Sequence, residues 1–279
     1  MGVTDNQNDP TGCSELSTEK KRYTSDLSER EWEIMEGLVS IYAAKRGRPR
    51  KLSLREVVNA ILYVLRNGCI WADLPKDFPN FNSVYYYYRQ WCKAGIWPAI
   101  NEALRRQARQ MAGRKPEPSA GSIDSQSTKT SEAGGIRGYD AGKKVTGRKR
   151  HIVVDTNGFL LEVVVHAANI QDRDGAKLVL TKLSPDTKHC LKKLWADGGY
   201  RGQLVKWVHK NIKAVLEIGE RDPNVKGFKV VPFRWVVERT FAWLGRCRRL
   251  SKDFERNTAS SEAFIYLASI RILLSRCVI

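Results

Sequence analysis
Apolar residues follow two rhythms along this chain, helical up to about residue 112 and strand-like for much of the rest. The first 22 residues are polar without periodicity, which predicts a disordered leader. Ser28 followed by Glu31 is a capping-box pattern, and Trp32, Ile34, Met35, Leu38, Val39 and Tyr42 then recur at helical spacing. Lys45-Arg-Gly-Arg-Pro-Arg-Lys51 interrupts the pattern as a basic linker, read equally well as a solvated loop or an arm along DNA. Ser53 and Glu56 repeat the capping box and open a helix through Leu65, closed by Asn67-Gly68. A short segment, Ile70–Leu74, stops at Pro75; Phe81-Asn-Ser83 caps a third helix through Lys93, and a fourth runs from Pro98 to about Ala112. Helix, turn, short helix and capped helix are the parts of a helix-turn-helix module. In that reading Ser83–Lys93 enters a major groove with Arg89, Gln90 and Lys93 facing outward. The four tyrosines Tyr85–Tyr88 cannot all be core on one helix.

Gly113-Arg-Lys-Pro-Glu-Pro-Ser119 is the best domain boundary in the sequence. Beyond it Ala120–Asp124 reads as a short strand and Ser125–Lys149 as a polar, basic loop. His151–Asp155 and Phe159–His166 flank Thr156-Asn-Gly158, a hairpin signal in which Asp155 is a turn residue. Asp172 and Asp174 look like caps of a helix through Leu183. Leu191–Ala196 and Ala214–Ile218 read as strands, and Tyr200–Lys210, Pro232–Leu250 and Ser260–Arg276 as helices. Strand, hairpin, helix, strand, helix, strand, helix is a ribonuclease H-like order. The expected fold is therefore α/β: a leader at 1–22, an all-α helix-turn-helix-like domain at 23–114, and a ribonuclease H-like mixed-sheet catalytic domain at 115–279.

Apolar content of 42% in 279 residues gives ample core and predicts an ordinary soluble protein. Charge is the unusual feature, with 48 Lys and Arg against 30 acids, a formal +18. Without a polybasic amphipathic helix or lipidation motif, that excess points to nucleic acid rather than membrane. The six cysteines form no C-x-x-C pair and only four histidines accompany them, so no zinc site can be read from spacing. Reduced thiols, the absence of a signal-peptide pattern and the lack of a long apolar run predict a cytoplasmic protein.

Three acids stand where metal-assisted phosphoryl transfer would need them. Asp124 and Asp197 are expected at strand ends, and Glu238 on a later helix. Converging carboxylates of this kind can hold two divalent cations that stabilise the attacking and leaving oxygens at phosphorus. Singly, each has a plain alternative: a turn at Asp124, the turn dipeptide Asp197-Gly198, and an ion pair of Glu238 with Arg234. Arg234, Glu238, Gly245 and Arg249 share a helix face at about 100° per residue, so phosphate contacts are expected from Arg234, Arg246 and Arg249. Lys149 and Arg150 are further candidates for backbone contact, and His151 reads as structural.

These residues resemble bacterial insertion-sequence transposases with an Asp-Asp-Glu active site, in the group called insertion sequence family five. The likeness runs over nearly everything after Tyr23, in Leu54–Tyr63, Gly68-Cys-Ile-Trp71-Ala-Asp-Leu-Pro75, Ile123-Asp124-Ser-Gln-Ser-Thr128, Gly147-Arg-Lys-Arg-His151, Ala196-Asp197-Gly-Gly-Tyr200 and Arg234-Trp-Val-Val-Glu238-Arg-Thr. The resemblance implies that Asp124, Asp197 and Glu238 bind two Mg2+ ions, with Mn2+ able to substitute, and that Arg234 is the arginine of the family's Tyr-Arg-Glu-Lys signature. Val231 and Gly245 stand where that signature has tyrosine and lysine, leaving Arg246 or Arg249 as substitutes. It also implies cleavage of double-stranded DNA at element ends followed by strand transfer, by a homodimer associated with the nucleoid. A nuclease of the same fold that does not join, and an inactive DNA-binding regulator, remain alternatives.

Overall fold
The computed structural model describes residues 22–42, 52–219 and 234–278. The expected leader up to residue 21 and the basic linker at 45–51 lie outside the described residues. Helix α1 (Glu29–Tyr42) starts on the anticipated capping box: the Ser28 N–H donates to Glu31 Oε2 at 2.8 Å and the Glu31 N–H to Ser28 Oγ at 3.3 Å. Helix α2 (Leu54–Asn67) has Ser53 at its cap without a side-chain bond, and the Glu56 carboxylate accepts from Arg22 Nη2 at 2.8 Å rather than closing a capping box. It ends on Gly68 at φ 72°, whose N–H reaches Val64 O, as Asn67-Gly68 predicts.

After a single 3-10 turn at Trp71–Asp73, α3 (Phe81–Lys93) begins on Asn80, whose side chain accepts from the Asn82 N–H. Val84, Tyr88 and Trp91 bury one face of α3 and leave Tyr85, Tyr86, Arg89, Gln90 and Lys93 exposed. Helix α4 (Ile96–Met111) buries Trp97, Ile100, Leu104 and Ala108, one stripe at helical spacing.

One mixed sheet follows. Strand β1 (Ala120–Lys129) pairs antiparallel with β3 (Val145–Asp155), from Gly121 opposite Asp155 to Lys129 opposite Gly147. Short β2 (Gly138–Asp140) and then β4 (Leu160–Ala167) share the outer edge of β3. On the other side β1 runs parallel to β5 (Lys193–Ala196), and β5 parallel to β6 (Val215–Ile218). Helices α5 (Asp172–Lys182), α6 (Pro185–Cys190) and α7 (Gln203–Ile212) provide the crossovers. Helix α8 (Arg234–Leu244) and α9 (Thr258–Cys277) complete the described chain. This is the ribonuclease H-like strand order expected from the sequence. Short α6 was not anticipated.

The loop expected at Ser125–Lys149 is a correction: most of it is sheet, forming the second half of β1, all of β2 and the start of β3. Polar side chains hid these strands. Their burial is satisfied by carbonyls far away in sequence: the Arg148 guanidinium donates to Ile136 O, Glu255 O and Arg256 O at 2.7–2.8 Å and pairs with Asp253 at 3.2 Å.

Two apolar layers flank the sheet. Helices α5 and α7 cover one face with Ala176, Val179, Leu180, Leu204 and Val208. On the other, α9 is buried on nearly every side, between β4 and the helices of the first half. Its Phe264 stacks on Tyr88 of α3, and Tyr88 Oη donates to Ser260 O at 2.9 Å. One continuous core therefore contains Val57, Ile61 and Trp97 as well as Ile152, Val163 and Leu267. The Gly113–Ser119 stretch changes composition, yet packing runs straight across it. Among the described residues no helix is long and apolar enough to cross a membrane.

Candidate active site
Asp124 lies within β1 rather than at its end, because Ser125–Lys129 continue the ladder with β3. Its position beside β5 is what matters. Ser122 pairs with Trp195 in the parallel ladder, so counting two residues on along each chain sets Asp124 beside Asp197, the residue after β5. Neighbouring strands lie about 4.8 Å apart, and alternation sends both side chains to one face. Asp197 caps the 3-10 turn Gly198–Tyr200, with Oδ1 accepting from the Gly199 N–H at 2.9 Å.

Asp124 Oδ1 accepts from the Ser125 N–H at 2.7 Å. Burial, with repulsion from Asp197 and Asp172 added, pushes the Asp124 carboxyl up to about 6, although that hydrogen bond and Lys143 work in the opposite direction. Asp172, the first residue of α5, is a third acid here. It is not the cap expected from the sequence: Oδ1 accepts from Ser125 Oγ at 2.7 Å and from Lys149 Nζ at 3.0 Å. Those bonds hold its carboxyl below the ordinary value despite burial. Lys143 Nζ donates to Ser125 O at 3.0 Å, so an exposed lysine also borders the acids. Lys143 and Asp172 were visible in sequence only as loop and cap residues, since their proximity depends on the extended β1–β3 ladder.

Glu238 is exposed on α8. That helix packs against β1 and β3. Ile152, directly opposite Asp124, shares a core with Val236, Val237 and Phe241, so α8 covers the face to which Asp124 belongs. Glu238 sits about 60° around the helix from Phe241, at the rim of the buried stripe. Among the described residues, no three His, Cys, Asp or Glu side chains stand together as a ready-made metal cluster.

Residues 115–273 match a family model described as a transposase DDE domain, which is more than half of the chain. The chain belongs to the DDE transposases. Residues 27–101 match a second model, described as a putative transposase of IS4/5 family. A putative transposase for insertion sequence element IS402 from Burkholderia cepacia is 31% identical over 127 residues, 43% of this chain and 60% of that protein. An IS402 uncharacterized 16.2 kDa protein from the same organism is 30% identical over 119 residues, 41% of this chain and 74% of the relative. The chain thus matches less than two thirds of the IS402 transposase's length. No solved structure matches it. Transposase DDE domains use divalent metal ions.

The cations expected to meet DNA divide sharply. Arg89 and Lys93 are exposed on α3, with Arg89 5.8 Å over the Tyr85 ring, and Arg246 is exposed just past α8. The Arg234 side chain lies outside the described residues. Three others are already committed within the fold, which corrects the sequence expectation. Lys149 is buried against Asp172 and Ile170 O. Buried Arg150 donates to Leu250 O and Lys252 O at 2.7 and 3.0 Å. Arg249 pairs with Glu255 at 2.6 Å, donates to Cys69 O and stacks on Phe254 and Phe264.

Proposed function
We propose that this chain is a DNA transposase that cuts phosphodiesters at the ends of a mobile element and joins them to target DNA. The carrying observation is the in-register placement of Asp124 beside Asp197, with repulsion helping to lift the Asp124 carboxyl to about 6. Acids held this close, one of them half-buried, are stabilised by a cation between them. Mg2+ is commonly held by one or two protein carboxylates, with water and substrate phosphate completing its shell, so this pair fits it without a full protein cage. Asp124 and Asp197 would hold Mg2+, or Mn2+ in its place, and Glu238 would supply the third carboxylate for a two-ion site. Bound there, the ions supply Lewis-acid activation of the nucleophile and neutralisation of the leaving oxygen.

The chain's own residues shape the rest. Lys143 offsets negative charge at the edge of the site, where a polyanionic backbone must approach three acids. Arg246 and Arg234 border the same helix as Glu238, while Arg89 and Lys93 offer contacts to double-stranded DNA from α3. In the first reaction water adds to phosphorus, the bond to the 3′ oxygen breaks, and that oxygen leaves as a 3′-hydroxyl. In the second, this hydroxyl adds to a target phosphodiester and displaces the target's own 3′ oxygen, which takes up a proton. One phosphodiester is exchanged for another and no covalent protein–DNA intermediate arises. Two element ends handled together call for a homodimer on DNA, in the bacterial cytoplasm at the nucleoid.

A labelled duplex carrying the element ends tests this in Mg2+. Wild type is expected to cut at the boundary, whereas Asp197→Asn and Glu238→Gln bind the duplex and leave it intact. A fully active Asp197→Asn, or cutting that persists in a chelator, refutes the assignment.

A further inference from the structure
Behind the acids, on the α5 side of the sheet, three polar rings lie in line and take no part in the reaction above. Tyr200, His151 and His166 are 1%, 0% and 6% exposed. Tyr200 Oη is 2.7 Å from His151 Nε2, His151 Nδ1 is 3.3 Å from His166 Nε2, and His166 Nδ1 is 2.9 Å from Ala167 O.

Every proton in this chain can be placed. A carbonyl only accepts, so His166 Nδ1 carries hydrogen and its Nε2 is bare. His151 Nδ1 therefore donates to His166, leaving His151 Nε2 to accept from the Tyr200 hydroxyl. Both imidazoles are neutral: burial, reinforced by His166 and by nearby Lys149 and Lys143 against the pull of Asp172, brings His151 down to about 3, and burial also lowers His166. Helix α5 approaches closely enough to seal the rings. A Cβ on Gly175 would stand 2.5 Å from both His151 Nδ1 and His166 Nε2.

The ends of the relay identify its purpose. Tyr200 closes the turn that Asp197 opens, with its N–H on Asp197 O at 3.2 Å. His151 lies directly opposite Ser125 in the β1–β3 ladder, and Ser125 bonds both Asp124 and Asp172. The relay thus ties the Asp197 turn to the strand pair that carries Asp124. Apolar packing at the same place would hold the turn but leave it able to slide. A directional bond of 2.7 Å fixes a distance.

We propose that Tyr200, His151 and His166 are positioning residues that fix the separation of Asp197 from Asp124, and so tune the acid pair for a small divalent cation. This rests on the reading of that pair as a metal site. Mg2+ demands near-ideal geometry at about 2.0–2.1 Å, whereas Ca2+ accepts flexible shells at about 2.3–2.6 Å, so loosening the turn should penalise Mg2+ first.

Thermal stabilisation of the DNA-free protein, titrated with Mg2+ and separately with Ca2+, is the test. Tyr200→Phe is expected to raise the half-maximal Mg2+ concentration by about 10- to 100-fold, the range for groups that orient metal ligands, and the Ca2+ value by clearly less. His151→Gln, which retains a donor and an acceptor, should stay near wild type, and His151→Leu should follow Tyr200→Phe. A variant with a lower metal-free Tm but unchanged half-points for both ions would overturn the proposal, as would equal shifts for the two ions. Should Tyr200→Phe not fold, the two His151 variants decide by the same criteria. If wild type gains no stability from either ion, the metal-site reading itself fails, a result distinct from a metal response that ignores the relay.

Discussion
Replacing Asp155 with asparagine probes the joint between the helical half and the sheet. Asp155 is fully buried at the end of β3. Its Oδ1 accepts from the Asn157 and Phe159 N–H groups at 2.8 and 2.9 Å, while Oδ2 pairs with Arg109 Nη1 of α4. Arg109 is only 5% exposed, and its Nε donates to Lys115 O at 2.8 Å. Asparagine keeps the shape and one carbonyl oxygen for the turn amides, so the main loss is the negative charge. A buried guanidinium stripped of its counter-ion destabilises by about 3–5 kcal/mol. At roughly 2–4 °C per kcal/mol in a chain of this size, Tm should fall by about 6–20 °C. Thermal and urea unfolding, followed by circular dichroism and tryptophan fluorescence, would measure it. Asp155→Asn combined with Arg109→Met should be clearly more stable than the sum of the single losses predicts, because neither charge is then left alone. A loss below about 1 kcal/mol for Asp155→Asn would refute the premise that this pair is a buried joint. Separate transitions for the two halves would refute the single shared core.

Two further outcomes follow from the surroundings of Gly175 and Asp124. Gly175→Ala places a methyl 2.5 Å from two imidazole nitrogens and should destabilise by about 1–3 kcal/mol, read by urea unfolding; a neutral result would mean that α5 stands farther from the histidines. The folded Asp124 carboxyl keeps its proton up to about 6, against an ordinary 3.8, so between those values the native state binds more protons than the unfolded chain. The Asp124 contribution to metal-free stability should therefore fall as pH rises from about 4 to about 6, by at most about 3 kcal/mol. It is read as the difference between the pH profiles of wild type and Asp124→Asn, because His151, held neutral by burial, acts in the opposite direction. Mg2+ should offset that fall, raising Tm at pH 7 but hardly at pH 4.5; equal shifts at both pH values would place the ion elsewhere.

What could be read from sequence was whatever is decided locally. The Ser28–Glu31 capping box, the Gly68 helix end and the hairpin at Thr156–Gly158 each depend on a few neighbouring residues, and each is present. Asp124 and Asp197 were marked by apolar runs leading into them, and their strands do lie side by side. Misreadings came where a partner distant in sequence decides the outcome. Glu56 resembled a cap, but Arg22 takes its carboxylate. Arg148 and Arg150 resembled an open basic loop, yet carbonyls from residues 250–256 make their burial tolerable. Asp172 matched a helix start, and only the long β1–β3 ladder brings Ser125 and Lys149 to it. Hydrophobic periodicity is blind to a charged residue buried on main-chain oxygen.

The place of α9 has a consequence for synthesis. Thr258–Cys277 fills the space between the sheet and the first helices, so neither half can close its apolar surface while that segment is still inside the ribosome. Emerging Asp124 and Asp197 meanwhile have no settled neighbours. The acid pair on a growing chain would therefore find its setting only once this helix has emerged, and a message broken before it would yield a product whose two carboxylates never come to rest side by side.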